Sequence, residues 1–334
     1  VDFAPPLGAG MKYFSVVFLA SLVVSALPAQ AAMHVCILRG VGGEPRYDER
    51  FQQWSDRLGR VLVDQCGVAP EHLRALPANS AAAPLTRESA AIILGELVGT
   101  LTEADTLFLV LIGHGSVQLE PKFMVSGPDI SVADVKGWLD AIPATRQVIV
   151  NTASASAAFI NALSRPERIV ITSTRGSDQP NATEFMEHFV SVLEEGRGDQ
   201  NRDGQVNLLE LCDAASASTT QWYETEDFVV TENALLDDNG DALGSRLPLA
   251  SDEGPKDGAI ASTIILRNDP ATAAADPARY TAYRDAITAV EVWKASKSAV
   301  DEATYWNKLE ELLLHAARLN RDLSAAPAVE ETPP

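Results

Sequence analysis

The chain has 334 residues, 46% of them hydrophobic, and carries 26 Lys and Arg against 46 Asp and Glu, a formal net charge of -20. That length and apolar content suffice for one large or two modest globular domains. The acidic balance, with no run of Lys and Arg to form a basic stripe, excludes nucleic acid as an expected partner and leaves surplus carboxylates that can gather divalent cations.

From Met11 the order is Lys12, an apolar run over 13–24, Leu27-Pro28 and Ala29-Gln30-Ala31. A positive start, an apolar stretch short for a membrane span and a small-x-small site predict a secretory signal peptide over 11–31. The expected product is secreted or periplasmic, with no stable membrane span once the signal is removed; a retained N-terminal anchor is the alternative, disfavoured by the cleavage site. Residues 1–10 precede this layout and are excluded from the fold. Three cysteines, Cys36, Cys66 and Cys212, allow at most one intramolecular disulfide and form no zinc spacing. Cys36 and Cys66 are expected to fill apolar space.

A short apolar run, His34 to Leu38, stops at Gly40, Gly42 and Gly43 and predicts the first strand. Phe51, Trp54, Leu58, Val61 and Leu62 recur at helical spacing and predict an amphipathic helix from about Tyr47 to Gln65. A second strand is expected at Leu73–Leu76, then a helix capped by Thr86 and carrying Ile92, Ile93, Leu97 and Val98. Thr106–Ile112 is apolar on both faces, as a central parallel strand must be, and Gln147–Val150 and Arg168–Thr172 resemble it. Between the first two lie an expected hairpin, Val117 to Val125, and a short helix over Val132 to Leu139. Ala261 to Leu266 is expected to close the core as a last strand. From Pro277 two helical stretches follow, with Tyr305, Leu309, Leu312, Leu313, Ala316 and Leu319 at spacings of three and four, a helical hairpin over 277–322 that docks on the core or presents its apolar face to a partner. The Pro-, Ala- and Glu-rich end, 323–334, is expected to be disordered.

Alternating strands and helices predict an α/β fold with a mainly parallel sheet flanked by helices on both faces, where function gathers at the carboxyl ends of the strands. Two such loops stand out: Gly113-His114-Gly115-Ser116, and Asn151-Thr152-Ala153-Ser154-Ala155-Ser156. Glycines around His114 permit a sharp turn that exposes the imidazole, and small residues around Ser154 leave room for a hydroxyl and backbone N–H donors. Taken alone, His114 is equally a histidine bonded to loop backbone, and the Ser/Ala run is most often a tightly packed helix start. Gly40 to Gly43 lacks the lysine of a phosphate loop and is placed at the rim of the cleft.

The segment Leu107 to Ser116, with its apolar strand and His-Gly-Ser ending, resembles the signature of the legumain family and of caspase-like peptidases generally. The following strand of that family ends in Ala-Cys-x-Ser-Gly; here Ala153-Ser154-Ala155-Ser156-Ala157 stands in its place, which aligns Ser154 with the nucleophilic cysteine. The resemblance, which runs from the first strand to Leu266, implies a caspase-like fold with His114 and Ser154 at the catalytic positions and Gly115 and Ala153 lining the oxyanion side. Ile171 to Arg175 resembles the next strand, often part of the substrate cleft. The acidic residue before Ala-Cys in legumains is Thr152 here, and the cysteine itself is missing.

Cysteine reacts through a ready thiolate, whereas a serine hydroxyl depends on a closely bonded, oriented base, which caspase-like sites do not hold in a serine-protease triad. The expectation is therefore a catalytically impaired homologue that binds a peptide or a protein partner through the old cleft. The runner-up is an active serine-dependent hydrolase in which a carboxylate, Asp178 being the best placed by topology, orients His114. An alignment shifted by one residue would put Ala153 at the nucleophile position.

A separate motif is Asp199-Gln200-Asn201-Arg202-Asp203-Gly204-Gln205-Val206-Asn207-Leu208-Leu209-Glu210. It fits the EF-hand calcium loop: oxygen side chains Asp199, Asn201, Asp203, Asn207 and Glu210 at positions 1, 3, 5, 9 and 12, the carbonyl of Gln205 at 7, and Gly204 at the turn. Phe185, Phe189, Val192 and Leu193 predict the entering helix, and Leu208, Leu209 and Cys212 the exiting one. A solvated Asp/Asn turn is the alternative. Asp237-Asp238-Asn239-Gly240-Asp241 is a second acidic turn, without a closing glutamate, and is expected to be a plain turn, with calcium binding as the alternative. Calcium is thus the expected cofactor, and a calcium-stabilised structural adaptor acting through the hairpin is a third class of function.

Overall fold

Strands that are apolar on both faces need cover on both, and that requirement organises this molecule. The computed structural model describes residues 31–77, 84–176, 179, 182–201, 203–249, 257–268, 277–295, 297 and 300–324; the expected signal peptide up to residue 30, Asp178 and the chain end from 325 lie outside the described residues. In chain order the first elements are β1 (Met33–Arg39), α1 (Pro45–Asp64), β2 (Leu73–Leu76), α2 (Arg87–Val98) and β3 (Thr106–Ile112). There follow β4 (Gly115–Val117), β5 (Pro121–Phe123), β6 (Ile130–Ser131), α3 (Val132–Ala141), β7 (Arg146–Asn151), α4 (Ile160–Leu163) and β8 (Arg168–Thr172). The second half holds α5 (Phe185–Glu195), β9 (Gln205–Asn207), α6 (Leu208–Thr225), β10 (Leu235–Asp237), β11 (Ser245–Arg246), β12 (Ile265–Asn268), α7 (Pro277–Ala295) and α8 (Glu302–Ser324).

The main sheet has seven strands in the order β2-β1-β3-β7-β8-β10-β11. β2, β1, β3, β7 and β8 pair in parallel, and β10 and β11 add antiparallel at the edge. Val35, Ile37, Phe108, Val110 and Ile112 point to the face covered by α1, α5 and α6; Cys36, Leu38, Leu107, Leu109 and Leu111 point to the face covered by α2, α3 and α4. This is an α/β architecture with helices on both faces of a mostly parallel sheet, consistent with a caspase-like fold. Each fully buried aliphatic or aromatic side chain of these layers contributes roughly 1.5–3 kcal/mol, so the two-sided core dominates the stability.

Local sequence fixes the helix ends. Pro45 sits in the first turn of α1, where its missing N–H costs nothing. Thr86 caps α2 by accepting the Ser89 N–H at 3.1 Å, and Ser131 caps α3 by accepting the Asp134 N–H at 3.1 Å. α1 is locked to α5 by Arg57, which donates to Glu187 at 2.7 Å and Glu194 at 2.7 Å, and by Trp54 Nε1, which donates to Glu187 at 2.6 Å. Cys36, Cys66 and Cys212 are free thiols.

Two expectations need correction. Residues 261–266 do not form a closing strand of the main sheet: Ala261–Thr263 is a short 3-10 turn, and β12 pairs with β9 in a separate two-stranded ribbon. The cause is Asp238, whose carboxylate accepts the N–H groups of Gly258, Ile260 and Ala261 at 2.8–2.9 Å and winds the segment into a turn. The sheet edge is instead made by β10 and β11, three and two residues long. The expected hairpin at Val117–Val125 is a three-stranded ribbon, β4-β5-β6.

α7 and α8 pack on each other through Tyr283, Ala286 and Ala316 and, further along, Val290, Tyr305 and Leu309. Tyr283 Oη also donates to the carbonyl of Asn201 at 2.9 Å, which docks the hairpin on the 199–210 loop. Among the described residues no helix is long and apolar enough to cross a membrane.

Candidate functional site

β3 and β7 are adjacent parallel strands, so the loops that leave their carboxyl ends are neighbours, and the two candidate segments meet there. Gly115 lies so close to the second loop that a Cβ on it would fall 2.4 Å from the carbonyl oxygen of Ser154; only glycine permits this approach. At the end of β7 the Asn151 side chain accepts the Ala153 N–H at 3.1 Å, and Thr152 donates both its N–H and its hydroxyl to the Leu111 carbonyl at 2.9 Å. Ala155 follows in the left-handed region, φ 53°, and turns the chain into the 3-10 segment Ser156–Phe159.

Within this frame Ser154 is 2% exposed, and its hydroxyl is held by the backbone opposite. Oγ accepts the Gly115 N–H at 3.1 Å and donates toward the Gly115 carbonyl at 3.3 Å. His114 is turned elsewhere. Its Nε2 lies 3.2 Å from the Gly42 carbonyl, which can only accept, so Nε2 carries the proton. The ring is packed edge-on by Tyr47 and Phe51 at 5.0 and 5.1 Å between centroids. Burial lowers the His114 pKa, against the opposing effects of the Gly42 carbonyl, Asp48 and Glu44, so the imidazole is neutral at pH 7.

The structure thus brings His114, Gly115, Ala153 and Ser154 to one place, but no hydrogen bond joins Ser154 to His114 among the described residues. Three of the backbone donors around it are engaged: the Gly115 N–H with Ser154, the Ala153 N–H with Asn151, and the Ala155 N–H with the Gln179 carbonyl at 3.0 Å. A hydroxyl without a base lacks the activated nucleophile that acyl transfer needs. Asp178, the carboxylate expected to orient His114, lies outside the described residues.

The second candidate centre, the loop 199–210, joins α5 to α6 through β9. Its side chains converge. Asp199 accepts the N–H groups of Asp203 and Gly204 at 3.0 and 2.9 Å, Asn201 accepts that of Asp203 at 2.8 Å, and Asp203 accepts that of Gln205 at 2.8 Å. Glu210 reaches back across the loop, one oxygen accepting the N–H groups of Gln200 and Asn201 at 3.2 Å, the other accepting Asn207 Nδ2 at 2.8 Å. Asn207 in turn caps α6 by accepting the Glu210 N–H at 3.0 Å. Burial, reinforced by the nearby Asp203 and Asp199 carboxylates, pushes Glu210 up to about 7 against the backbone donors. The predicted side chains Asp199, Asn201, Asp203, Asn207 and Glu210 are thus tied together by hydrogen bonds within one loop, although the Asp199, Asp203 and Glu210 carboxylates do not all close to within 4.8 Å of one another. The donor set is entirely hard oxygen, which suits calcium and does not suit zinc or copper.

Sequence reading missed four contributors. Tyr47, expected only as the start of α1, and Phe51, expected only on its packed face, hold the His114 ring; the Gly42 carbonyl fixes its tautomer; and Tyr283, far downstream in the hairpin, touches the 199–210 loop. Helical periodicity marked Phe51 as apolar but carried no sign of these partners. No protein-family model matches the chain, and no curated protein matches it either.

Proposed function

We propose that this chain is an exported, catalytically impaired relative of the legumain and caspase-like peptidases that binds a peptide or a protein partner at the mouth of the former cleft. One observation carries the reading: the buried Ser154 hydroxyl is hydrogen-bonded to Gly115 on both sides while His114 points its proton at Gly42. Around it, His114, Gly115 and Ser116 are only half-buried, which leaves a partner access to the loop rim rather than to the hydroxyl. The loop 199–210 binds calcium in this proposal, as a structural ion; its hard-oxygen donor set and the Tyr283 contact from the hairpin support that assignment.

Mass spectrometry after treatment with a serine-directed fluorophosphonate tests the first part, with Ser154→Ala and Ser154→Cys alongside. No label on the wild type is expected. Labelling that vanishes in Ser154→Ala would establish an activated serine and overturn the proposal. For the ion, calcium is expected to raise the unfolding temperature of the wild type, and Glu210→Gln is expected to reduce that rise; an unchanged rise in Glu210→Gln would remove the loop from the account.

A further inference from the structure

We propose a second divalent-cation centre, of calcium type, formed by Asp237, Asp241 and Asp257 at the far edge of the sheet. These carboxylates come from the end of β10, the turn after it and the segment before the 3-10 turn at Ala261. One oxygen of each lies within 4.8 Å of the others. Oxygens that share one calcium ion at 2.3–2.6 Å stand up to about 5 Å apart, so the spacing is that of a common ligand shell.

Proximity of carboxylates is not enough by itself, and a second feature is independent of it. Asp237 is wholly buried; Oδ1 accepts the Gly240 N–H at 3.1 Å and the Ser164 hydroxyl lies beside the carboxyl, but Oδ2 has no partner within hydrogen-bond distance and angle. A buried carboxylate oxygen without a donor is expensive unless a cation compensates it. Among the described residues no Lys or Arg forms an ion pair with any of the three.

The surroundings orient the group. Asp257, 1% exposed, accepts the Asp238 N–H at 3.2 Å through Oδ1, and the Ser245 N–H at 3.1 Å and the Ser245 hydroxyl through Oδ2. Asp241 is exposed, its Oδ1 accepts the Leu243 N–H at 2.8 Å, and it gives an ion a route from solvent. Three carboxylates with neither His nor Cys select a hard cation. Two of the three ligands are buried and fixed by the fold, which favours calcium, with its tolerance of irregular oxygen shells, over magnesium, which keeps its waters and demands an octahedron.

Asp237 is in register with Val170 at the middle of β8, and because β10 runs antiparallel to β8 the turn after it heads past the amino end of that strand, with Gly240 against Pro166, whereas His114 and Ser154 follow the carboxyl ends of β3 and β7. The proposed centre is thus at the opposite end of the sheet from the cleft. Its role is to clamp β10 and β11, the short antiparallel edge, to the segment that leads into β12.

Calcium titration calorimetry on the full chain tests the proposal, with Asp241→Asn as the first variant because its side chain is exposed and its loss spares the core. Asp237→Asn, isosteric, is the second. Each is expected to bind one calcium ion fewer than the wild type, or to bind it at least tenfold more weakly, whatever the 199–210 loop contributes, and Glu210→Gln is expected to retain this ion. Equal stoichiometry and affinity in the wild type and both variants overturns the proposal, as does absence of calcium uptake by the Glu210→Gln chain or a preference for magnesium or zinc there.

Discussion

Replacing Ser154 by alanine separates a structural hydroxyl from a poised nucleophile through stability rather than activity. The hydroxyl is 2% exposed and forms two contacts with Gly115, at 3.1 Å to its N–H and 3.3 Å to its carbonyl. Alanine is nearly the same size, so little cavity is created, and the dominant loss is the acceptor of the Gly115 N–H. Leaving a buried donor unmet costs about 1–3 kcal/mol, whereas the longer bond to the carbonyl adds little because that oxygen has a second lone pair. The expected destabilisation is therefore about 1–2 kcal/mol, or roughly 2–8 °C in Tm for a domain of this size. Urea unfolding followed by tryptophan fluorescence and circular dichroism at pH 7 measures it. An active nucleophile behaves oppositely, since active sites are built at some expense to stability and their removal is neutral or stabilising. A Ser154→Ala chain as stable as the wild type, or more stable, would refute the reasoning.

The fully buried guanidinium of Arg168 donates to Asp140 at 2.9 Å, Gln147 at 3.0 Å and the Leu163 carbonyl at 2.9 Å, so Arg168→Met is expected to cost about 3 kcal/mol or more in urea unfolding. Glu232 accepts the N–H groups of Glu184 and Phe185 at the start of α5, both at 2.7 Å, and burial pushes it up to about 7 from 4.5. The folded chain holds this proton more tightly than the unfolded chain, so the contribution is present in full below about 4.5 and is lost as pH rises through about 7, at most roughly 3 kcal/mol. Stability curves between pH 5 and 8 should accordingly be flatter for Glu232→Gln than for the wild type. Tyr283→Phe deletes the hydroxyl that reaches Asn201, and hydrogen exchange over 277–295 is expected to quicken by the equivalent of about 1 kcal/mol while exchange in the main sheet stays unchanged.

The layered core was legible because two-sided apolar runs admit little but a covered parallel strand, and because α1 and α5 show a clean helical face. β10 and β11 were not, since three and two residues carry no period; their place is set by Asp238 and Asp257, whose partners lie some twenty residues away in sequence. Chemistry divided along the same line. The 199–210 loop is local, and its turn follows from the order of Asp, Asn and Gly within twelve residues. His114 and Ser154 were correctly placed on neighbouring loops, but the direction of each side chain depends on Gly42 and Gly115, and hydrogen-bond direction is not written in residue identity. Likewise the acidic turn at 237–241 gains its third carboxylate, Asp257, only through the fold.

The close fit of Gly115 against Ser154 also bears on what a glycine beside a histidine signifies. A methyl group at Gly115 would collide with the Ser154 carbonyl oxygen at 2.4 Å, and one at Gly40 with the Met124 carbonyl oxygen at the same distance. The fold alone therefore requires glycine beside His114, with or without turnover. The glycine after His114 is thereby accounted for by backbone approach, independently of any chemistry at the imidazole.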